Sequence, residues 1–593
     1  MEERLIPRRR VLGLGAALAA LCAGCSVLPT AEETDTPDPD STIPPEIVEK
    51  TEDAGFHLRD NDALYTVYDD SGVVTMYLTV TRGNEAENTD HTWADINHYS
   101  VYDYEYMQVP RYQVAALLQI GDENGPSASE VGYGETTPNA TVQIRGQTSS
   151  RNAQKNYKIK LKQNRGSWRE QRTIALNKHQ GDGLRFRNKL AYDLIRDIPQ
   201  MVGLRTQFVQ LYVRDQTQNA ATAFVDYGLY TQVEQLNKMA LKAHGLDANG
   251  QLYKVNFFEF FRYEEVIRLK TDPAYDKAAF ERYLEIKGSD DHQKLIDFLD
   301  LLNDETTSMD DLFETMLDTE NIAYWMAFQI LLGNTDTQSR NMYLYSPLNS
   351  LRWYILDWDN DSMLSRLEWE YRNYSDSLNW ERGVSNYWGN VLFRRCLQTR
   401  RFREELDAAI EDLFRVFRED RIEALTAQYR AITERFVWKQ PDVIHEPLSR
   451  EQYDAVAKHL HTEIVENRDA YRESLKKPMP FYIGIPEPAG EQLKLTWDAS
   501  FDFNAEDIVY TAELAKDYRF TTAFWKEENL RLPETVVYAL PAGHYFLRVR
   551  ATNTSGYTQD AFDYYVMETG KAYGMKSFFV EADGSVTEDL YEE

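Results

Sequence analysis

Asp336 and Asn341 stand five positions apart, and a second acidic stretch, Asp357, Asp359 and Asp361, follows after two strand-like runs. Residues of these types at this spacing suit phosphoryl transfer. That chemistry asks for one carboxylate facing the attacking hydroxyl, and for an amide and a second carboxylate that hold a divalent cation against the phosphates. Residues 342–345, the turn at 346–350 and residues 351–356 predict a hairpin. A loop before one strand and a loop after its partner emerge at the same end of a hairpin, so Asn341 and Asp359 can converge on one cation while Asp336 faces the hydroxyl.

Other chemistries fit the residues less well. Asp357, Asp359 and Asp361 occupy positions 1, 3 and 5 of a calcium loop, with Leu364 at position 8 and Glu368 at position 12. Ser362 replaces the glycine of that loop, however, and the preceding Leu351–Leu356 run reads as a strand where a helix is required. Five of the 11 tryptophans fall between Trp353 and Trp388, which would suit a sugar platform, yet no spacing defines a pair of carboxylates for glycoside hydrolysis. His459 and His461 are two apart and do not share a helical face, so they make no zinc site. No serine or cysteine sits in a nucleophile elbow.

The elements that must position these groups follow from the rest of the chain. Its 593 residues exceed what one core supports, and a net charge of −31 argues against a nucleic-acid partner. Residues 1–24 combine Arg8–Arg10 with an apolar run and small residues ahead of Cys25, the pattern of an export signal. The run before Cys25 resembles a lipobox, with lipid expected on Cys25, and the paired arginines are also compatible with twin-arginine export. Residues 25–60, rich in Pro, Thr, Asp and Glu, read as an acidic disordered stalk. With Cys22 removed and Cys25 lipidated, Cys396 is the remaining thiol, expected to be a buried apolar residue.

From residue 61 the chain is strand-rich, with one helix expected at 183–198; beyond 275 helices dominate, interrupted by the hairpin. A strand-rich lobe, a helix, further strands and a helical lobe with an embedded hairpin is the order of a protein-kinase-like fold. The expected fold class is therefore α+β, with a two-lobed domain over 61–478. Short strands over 479–570, with Trp497 early and residues 545–556 late, resemble a fibronectin type III or Ig-like all-β sandwich. Residues 571–593 read as a tail.

The motifs IRGQTSS, KNYKIKL, RNKLAYDLIRD, YGLYTQVEQ, GNTDTQSRNMYLY and YILDWDND, in this order, resemble the CotH kinase-like proteins related to spore coat protein H, over residues 62–475. The resemblance implies an atypical kinase fold and, in some members, transfer of phosphate from ATP to serine with Mg²⁺ or Mn²⁺. It implies Asp336 as the catalytic residue, Asp359 as the metal ligand, and Asn341 and Asp361 as auxiliary ligands. Lys155 matches the family's lysine before an aromatic strand residue and would pair with nucleotide phosphates; Lys158 is the competitor. Arg145 and the Ser149 hydroxyl would serve where a kinase uses a glycine-rich loop, because that loop holds one glycine, Gly146. Glu234 falls where the chain passes between lobes, near the adenine, or is a satisfied charge at a strand end. Arg187 and Asn188 open the helix behind the site. The sequence departs from the kinase pattern in lacking His-Arg before Asp336 and a glycine-rich run after Asp359.

Taken together, these features lead us to expect a lipoprotein on the extracytoplasmic face of a bacterial membrane that phosphorylates exposed serines of an extracytoplasmic or coat protein. The alternative is a non-catalytic surface scaffold or adhesion protein on the same fold. A single lipid anchor at Cys25 makes a direct expectation: Cys25→Ala releases the protein into the medium, as read by fractionation, and retention with the membrane would refute the anchor.

Overall fold

The computed structural model describes residues 57–218, 221–373, 381–567 and 570–589. The export segment, Cys25 and the acidic stretch up to residue 56 lie outside the described residues, as does Trp380.

Alternation of apolar and polar residues builds the first lobe. Strands β1 (Val73–Thr81), β2 (Val114–Asp122), β3 (Gly125–Pro126), β4 (Ala140–Arg145), β5 (Asn156–Leu161), β6 (Thr173–Asn177), β7 (Thr206–Asp215) and β8 (Val225–Glu234) form one sheet, ordered β1-β7-β8-β6-β5-β4-β2-β3. β1 also pairs with β2, Met76 opposite Ile120 and Leu78 opposite Leu118, so the ladder closes on itself. Closure removes the long free edges and gives each strand an inner and an outer face. Met76, Leu118, Ile144, Tyr157, Ile159, Leu176 and Leu211 belong to the inner core. Period-two geometry turns Arg145 and Lys158, of opposite parity, to the outside.

The outer face of β7 and β8 packs on the helix Arg187–Ile195, every residue of which is buried. Leu190, Ala191 and Leu194 join Phe208, Leu229 and Val233 in a second core that continues through the second lobe. There β9 (Gln251–Val255), β10 (Leu284–Ile286), β11 (Met342–Ser346) and β12 (Tyr354–Asp357) form an antiparallel sheet ordered β10-β9-β11-β12. The helix Thr319–Leu331 is apolar around most of its circumference and correspondingly central, with the Asp318 carboxylate accepting from the Asn321 N–H at its start. Longer helices at Arg400–Val416, Glu419–Val437 and Arg450–Ser474 enclose it, the last opening on a reciprocal Ser449/Gln452 capping box.

The C-terminal region is all-β. Strands Glu487–Ala489, Gln492–Thr496 and Glu534–Tyr538 form one sheet, and Ala523–Leu530, Ile508–Ala515, Gly543–Asn553, Met575–Val580 and Val586–Glu588 lie side by side in another. Leu495, Trp497, Leu514, Leu547 and Phe578 share their core. The expectation of a tail from 571 is corrected here: Met575–Val580 pairs with Gly543–Asn553 and buries Phe578 completely. Its partner strand is about 30 residues away, which no local pattern signals. Likewise, residues 57–60 do not continue a stalk, since Leu58 is buried in the second core. The sandwich is docked and not loosely tethered, because the Trp388 ring stacks on Phe501 at 5.2 Å and Phe562 joins the same core.

Arg187 joins the two lobes. Its guanidinium, with no measurable exposure, pairs with Asp182, donates to Glu368 at 2.7 Å and gives its Nε–H to the Leu364 carbonyl at 3.1 Å. Arg187→Met leaves the buried Asp182 without its counter-ion and Glu368 with Arg372 alone. We expect a loss of about 3–5 kcal/mol of unfolding free energy in urea titration, and an unchanged midpoint would remove Arg187 from this role.

Candidate functional site

The hairpin places the two acidic loops together. Met342 stands opposite Asp357 in the β11–β12 register, so Asp336–Asn341 and Trp358–Asp361 leave the same end. Asn334 then fastens one loop to the other: its amide nitrogen donates to Gln329 Oε1 at 3.0 Å and Asn360 Oδ1 at 3.2 Å, and its oxygen accepts from the Ser362 hydroxyl at 3.0 Å. The Leu364 N–H to Leu332 carbonyl bond, 2.9 Å, closes the unit. Asn341 and Asp359 both hold left-handed backbone, φ 58° and 64°. Non-glycine residues keep such conformations only where surrounding contacts impose them, and functional sites are where they concentrate.

Each carboxylate is differently set. Asp336 Oδ1 accepts from Arg340 Nε at 2.7 Å, and Oδ2 from the Asn341 amide at 2.9 Å. Burial raises its pKa above the usual carboxylate range, with Arg340 working in the opposite direction. Asp357 is fully buried, bonded by Gln329 and Asn360, and pushed up to about 6 by desolvation; it is part of the frame. Burial, and after it the charge of Asp361, push Asp359 up to about 7, against the pull of Arg145 and Lys254. Burial acts on Asp361 in the same sense, but His179, 3.5 Å away, outweighs it and holds Asp361 low.

A divalent cation fits this donor set. Two carboxylates act on one another here, burial and the charge of Asp361 together raising Asp359, and the Asn341 amide oxygen has no protein donor among the described residues. No group of three His, Cys, Asp or Glu side chains converges tightly enough to cage a metal among the described residues. A Mg²⁺ ion that keeps waters and substrate phosphates among its ligands would ask for only one or two of these carboxylates.

Helix Arg187–Ile195 positions the second loop. Asn188 Oδ1 accepts from the Asn360 N–H at 3.4 Å and the Tyr192 hydroxyl from the Asp359 N–H at 3.2 Å. Arg145 and Lys158 face the cleft, Arg145 with its guanidinium 5.8 Å from the Trp358 ring centre. Lys155 is not brought to them: it shares the inner parity of Tyr157, is buried, and donates to the Ser150 carbonyl at 2.7 Å. The Ser149 hydroxyl accepts from the Asn156 amide at 3.0 Å, beside Gly146, where φ is 87° and an added Cβ would meet that hydroxyl.

Glu234 is corrected from an adenine-side contact to a structural charge. Fully buried, it takes Arg205 Nε at 3.1 Å and His244 Nε2 at 2.9 Å, and His244 Nδ1 reaches Asp60 at 2.6 Å. Its carboxylate has no capacity left for a base. The calcium alternative fails on Glu368, which is turned inward onto Arg187, the Gly183 N–H and Arg372. Trp353, Trp358 and Trp388 are buried and offer no sugar platform, and the Cys396 thiol is buried, its pKa pushed up by desolvation. Sequence reasoning missed His179, Asn334, Tyr192 and Lys254. The "LNKH" and "LYKV" contexts carry no motif; only the fold brings them to the site.

Comparison with known families matches residues 142–472 to the family described as CotH kinase protein, a span containing both acidic loops and the Arg187 helix. Curated proteins give no match. Among solved structures, the proinflammatory kinase CtkA of Helicobacter pylori is similar at 11% identity, covering 54% of this chain and 95% of that chain, with a TM-score of 0.25. At that level no residue correspondence is drawn.

The Glu234 network makes a pH prediction. Burial would lower His244, but Glu234 and Asp60 outweigh it and hold its pKa at about 9, while Glu234, against its own burial, is held at about 2. A folded-state pKa raised above 6.5 gives stability that is fully present below pH 6.5 and lost as pH rises through 9. Between pH 6 and 9.5 the wild type should therefore lose about 1–3 kcal/mol more unfolding free energy than His244→Gln. Parallel pH profiles would show that His244 is not charged in the fold.

Proposed function

Because this chain belongs to the CotH kinase protein family and its two acidic loops converge at one end of a hairpin, we propose that it transfers phosphate from ATP to serine side chains. Its substrates in this reading are extracytoplasmic or coat proteins, reached from a membrane surface to which Cys25 is anchored by lipid. The observation that carries the reading is that Asp336 and Asp359 stand on loops that leave the same hairpin end and are bonded to one another through Asn334.

Asp359, Asn341 and Asp361 would hold Mg²⁺ or Mn²⁺, which supplies charge neutralisation for the phosphates. Asp336 accepts or orients the serine hydroxyl proton, so that the serine oxygen forms its bond to the terminal phosphorus as the bond to ADP breaks. Its raised pKa suits a group that takes a proton. Arg340 fixes the carboxylate's orientation, and the Asn334 bridge keeps nucleophile and metal sides in constant register, which is most of what catalysis of this kind requires. In the same reading the C-terminal sandwich is a fibronectin type III-like module. Support comes from its sheet order and from Tyr545, whose hydroxyl bonds the Pro541 carbonyl at 2.8 Å, four residues upstream, as in a tyrosine corner.

Labelled ATP with wild type, Asp336→Ala and Asp359→Ala tests the assignment. Asp336→Ala should lose about 10²–10⁴ in transfer rate while keeping nucleotide affinity, because it faces the hydroxyl. Asp359→Ala should lose metal-dependent nucleotide binding as well. Equal labelling by all three would sink the site, and nucleotide binding without transfer by wild type across serine-rich acceptors would favour a non-catalytic surface scaffold.

A further inference from the structure

The residues that follow β9 leave the second sheet at the end from which both acidic loops emerge, because β9 runs antiparallel to β11 with Lys254 opposite Tyr343. Residues 256–258 therefore lie beside 339–341, and the Phe258 N–H donates to the Ser339 carbonyl at 2.8 Å. The neighbours of Phe257 are tied inward. The Asn256 N–H donates to the Tyr283 carbonyl at 2.8 Å, the Glu259 carbonyl accepts from the Val391 N–H at 2.9 Å, and Phe258 and Phe260 are fully buried. Phe257 itself is turned out, 58% exposed.

Singly exposed apolar side chains are ordinary. This one is set apart by its backbone and by what it covers. Its φ of 47° lies in the left-handed region, where glycine or asparagine is the common choice and an aromatic residue is out of place. The exposed ring returns little apolar burial to the fold for that conformation. One face of the ring carries the Arg340 guanidinium, 4.5 Å from its centre, and Arg340 Nε donates to the Asp336 carboxylate at 2.7 Å. No other aromatic or cationic side chain stacks on the ring among the described residues. A single guanidinium thus bridges ring and carboxylate, which places them about as far apart as residues two positions apart in an extended chain, roughly 7 Å. A phenyl ring has no donor or acceptor to offer, so what it recognises is apolar surface.

We propose that Phe257 is a specificity-determining residue whose open face receives an aromatic or bulky apolar side chain, two residues from the acceptor serine in an extended segment of the protein substrate. The position of the serine rests on the phosphoryl-transfer reading; the apolar contact itself rests on the exposed ring and its left-handed backbone. The substrate side chain completes the covering of the ring that the fold leaves open. With Arg340 between that contact and Asp336, the bound segment is held in register with the carboxylate.

Three otherwise identical serine peptides, carrying Phe, Ala or Arg two residues to either side of the serine, provide the test. Transfer from labelled ATP and equilibrium peptide binding are both measured on the full chain. Wild type should bind the Phe peptide about tenfold more tightly than the other two, with a matching fall in KM. Phe257→Asn suits left-handed backbone, its fold is checked by its melting temperature, and it should bind all three peptides equally weakly. Phe257→Tyr should keep the preference. Tyr538→Ala, at an exposed aromatic of the sandwich, should behave as wild type. A kcat lowered alike for every peptide in Phe257→Asn, with the preference for Phe retained, would make the ring a support of Arg340 only and overturn the substrate contact. So would a wild type that binds the Ala or Arg peptide as tightly as the Phe peptide. Phe257-dependent binding without any transfer would keep the contact and remove the kinase reading. Transfer without the preference would do the reverse, and neither binding nor transfer would overturn both.

Discussion

A buried guanidinium orders the centre of this molecule. Arg187 sits at the start of a helix with no exposed residue, and its partners come from three directions: Asp182 from the loop ahead of the helix, the Leu364 carbonyl from the end of the second acidic loop, and Glu368 from the helix that follows. A cation taken out of water tolerates little displacement of its carboxylates. The helix is thereby fixed against the second lobe, and two turns of it present Asn188 and Tyr192 to the backbone of Asn360 and Asp359. The left-handed turn at Asp359 and the direction of its carboxylate follow from that support.

Charge in the two halves of the site is arranged in opposite ways. Around Arg187, Glu234 and Lys178 every buried ion has its counter-ion in contact, and these groups hold lobes and loops together. At the cleft, Asp359 and Asp361 crowd each other. Burial acts on Asp359 and Asp361 stands half-exposed beside it, so their repulsion raises the energy of that end of the cleft. Stability given up in this way is common at functional sites.

The sandwich and the N-terminal stretch bear on the same core. Phe562 and the Trp388–Phe501 stack join the last domain to the second lobe, while Leu58 and the Asp60–His244–Glu234 chain tie the residues nearest the N-terminal stretch to the point where β8 leaves the first lobe. The family match begins at residue 142. The elements before it close the barrel and brace the hinge, and those after it buttress the helical lobe.

Patterns of period and spacing settled much of this in the sequence alone. The hairpin, its two acidic loops and the central apolar helix are local in origin, because alternation, turn residues and helical periodicity act between near neighbours. The D-x-x-x-x-N spacing therefore placed Asp336, Asn341 and Asp359 at one hairpin end without knowledge of the rest. Parity within β5 was also legible, yet which parity faced the cleft was not: the choice between Lys155 and Lys158 depends on the closure of β1 on β2, which decides the inside of the barrel. Glu234, read as an adenine-side residue or a satisfied charge, became the latter only through Arg205 and His244, and Glu368 left the calcium pattern because Arg187, 181 residues away, claims it. Lys254 carried no signal at all. Long-range pairing of charges is set by where separate elements dock, and a sequence records the charges but not the distances between them.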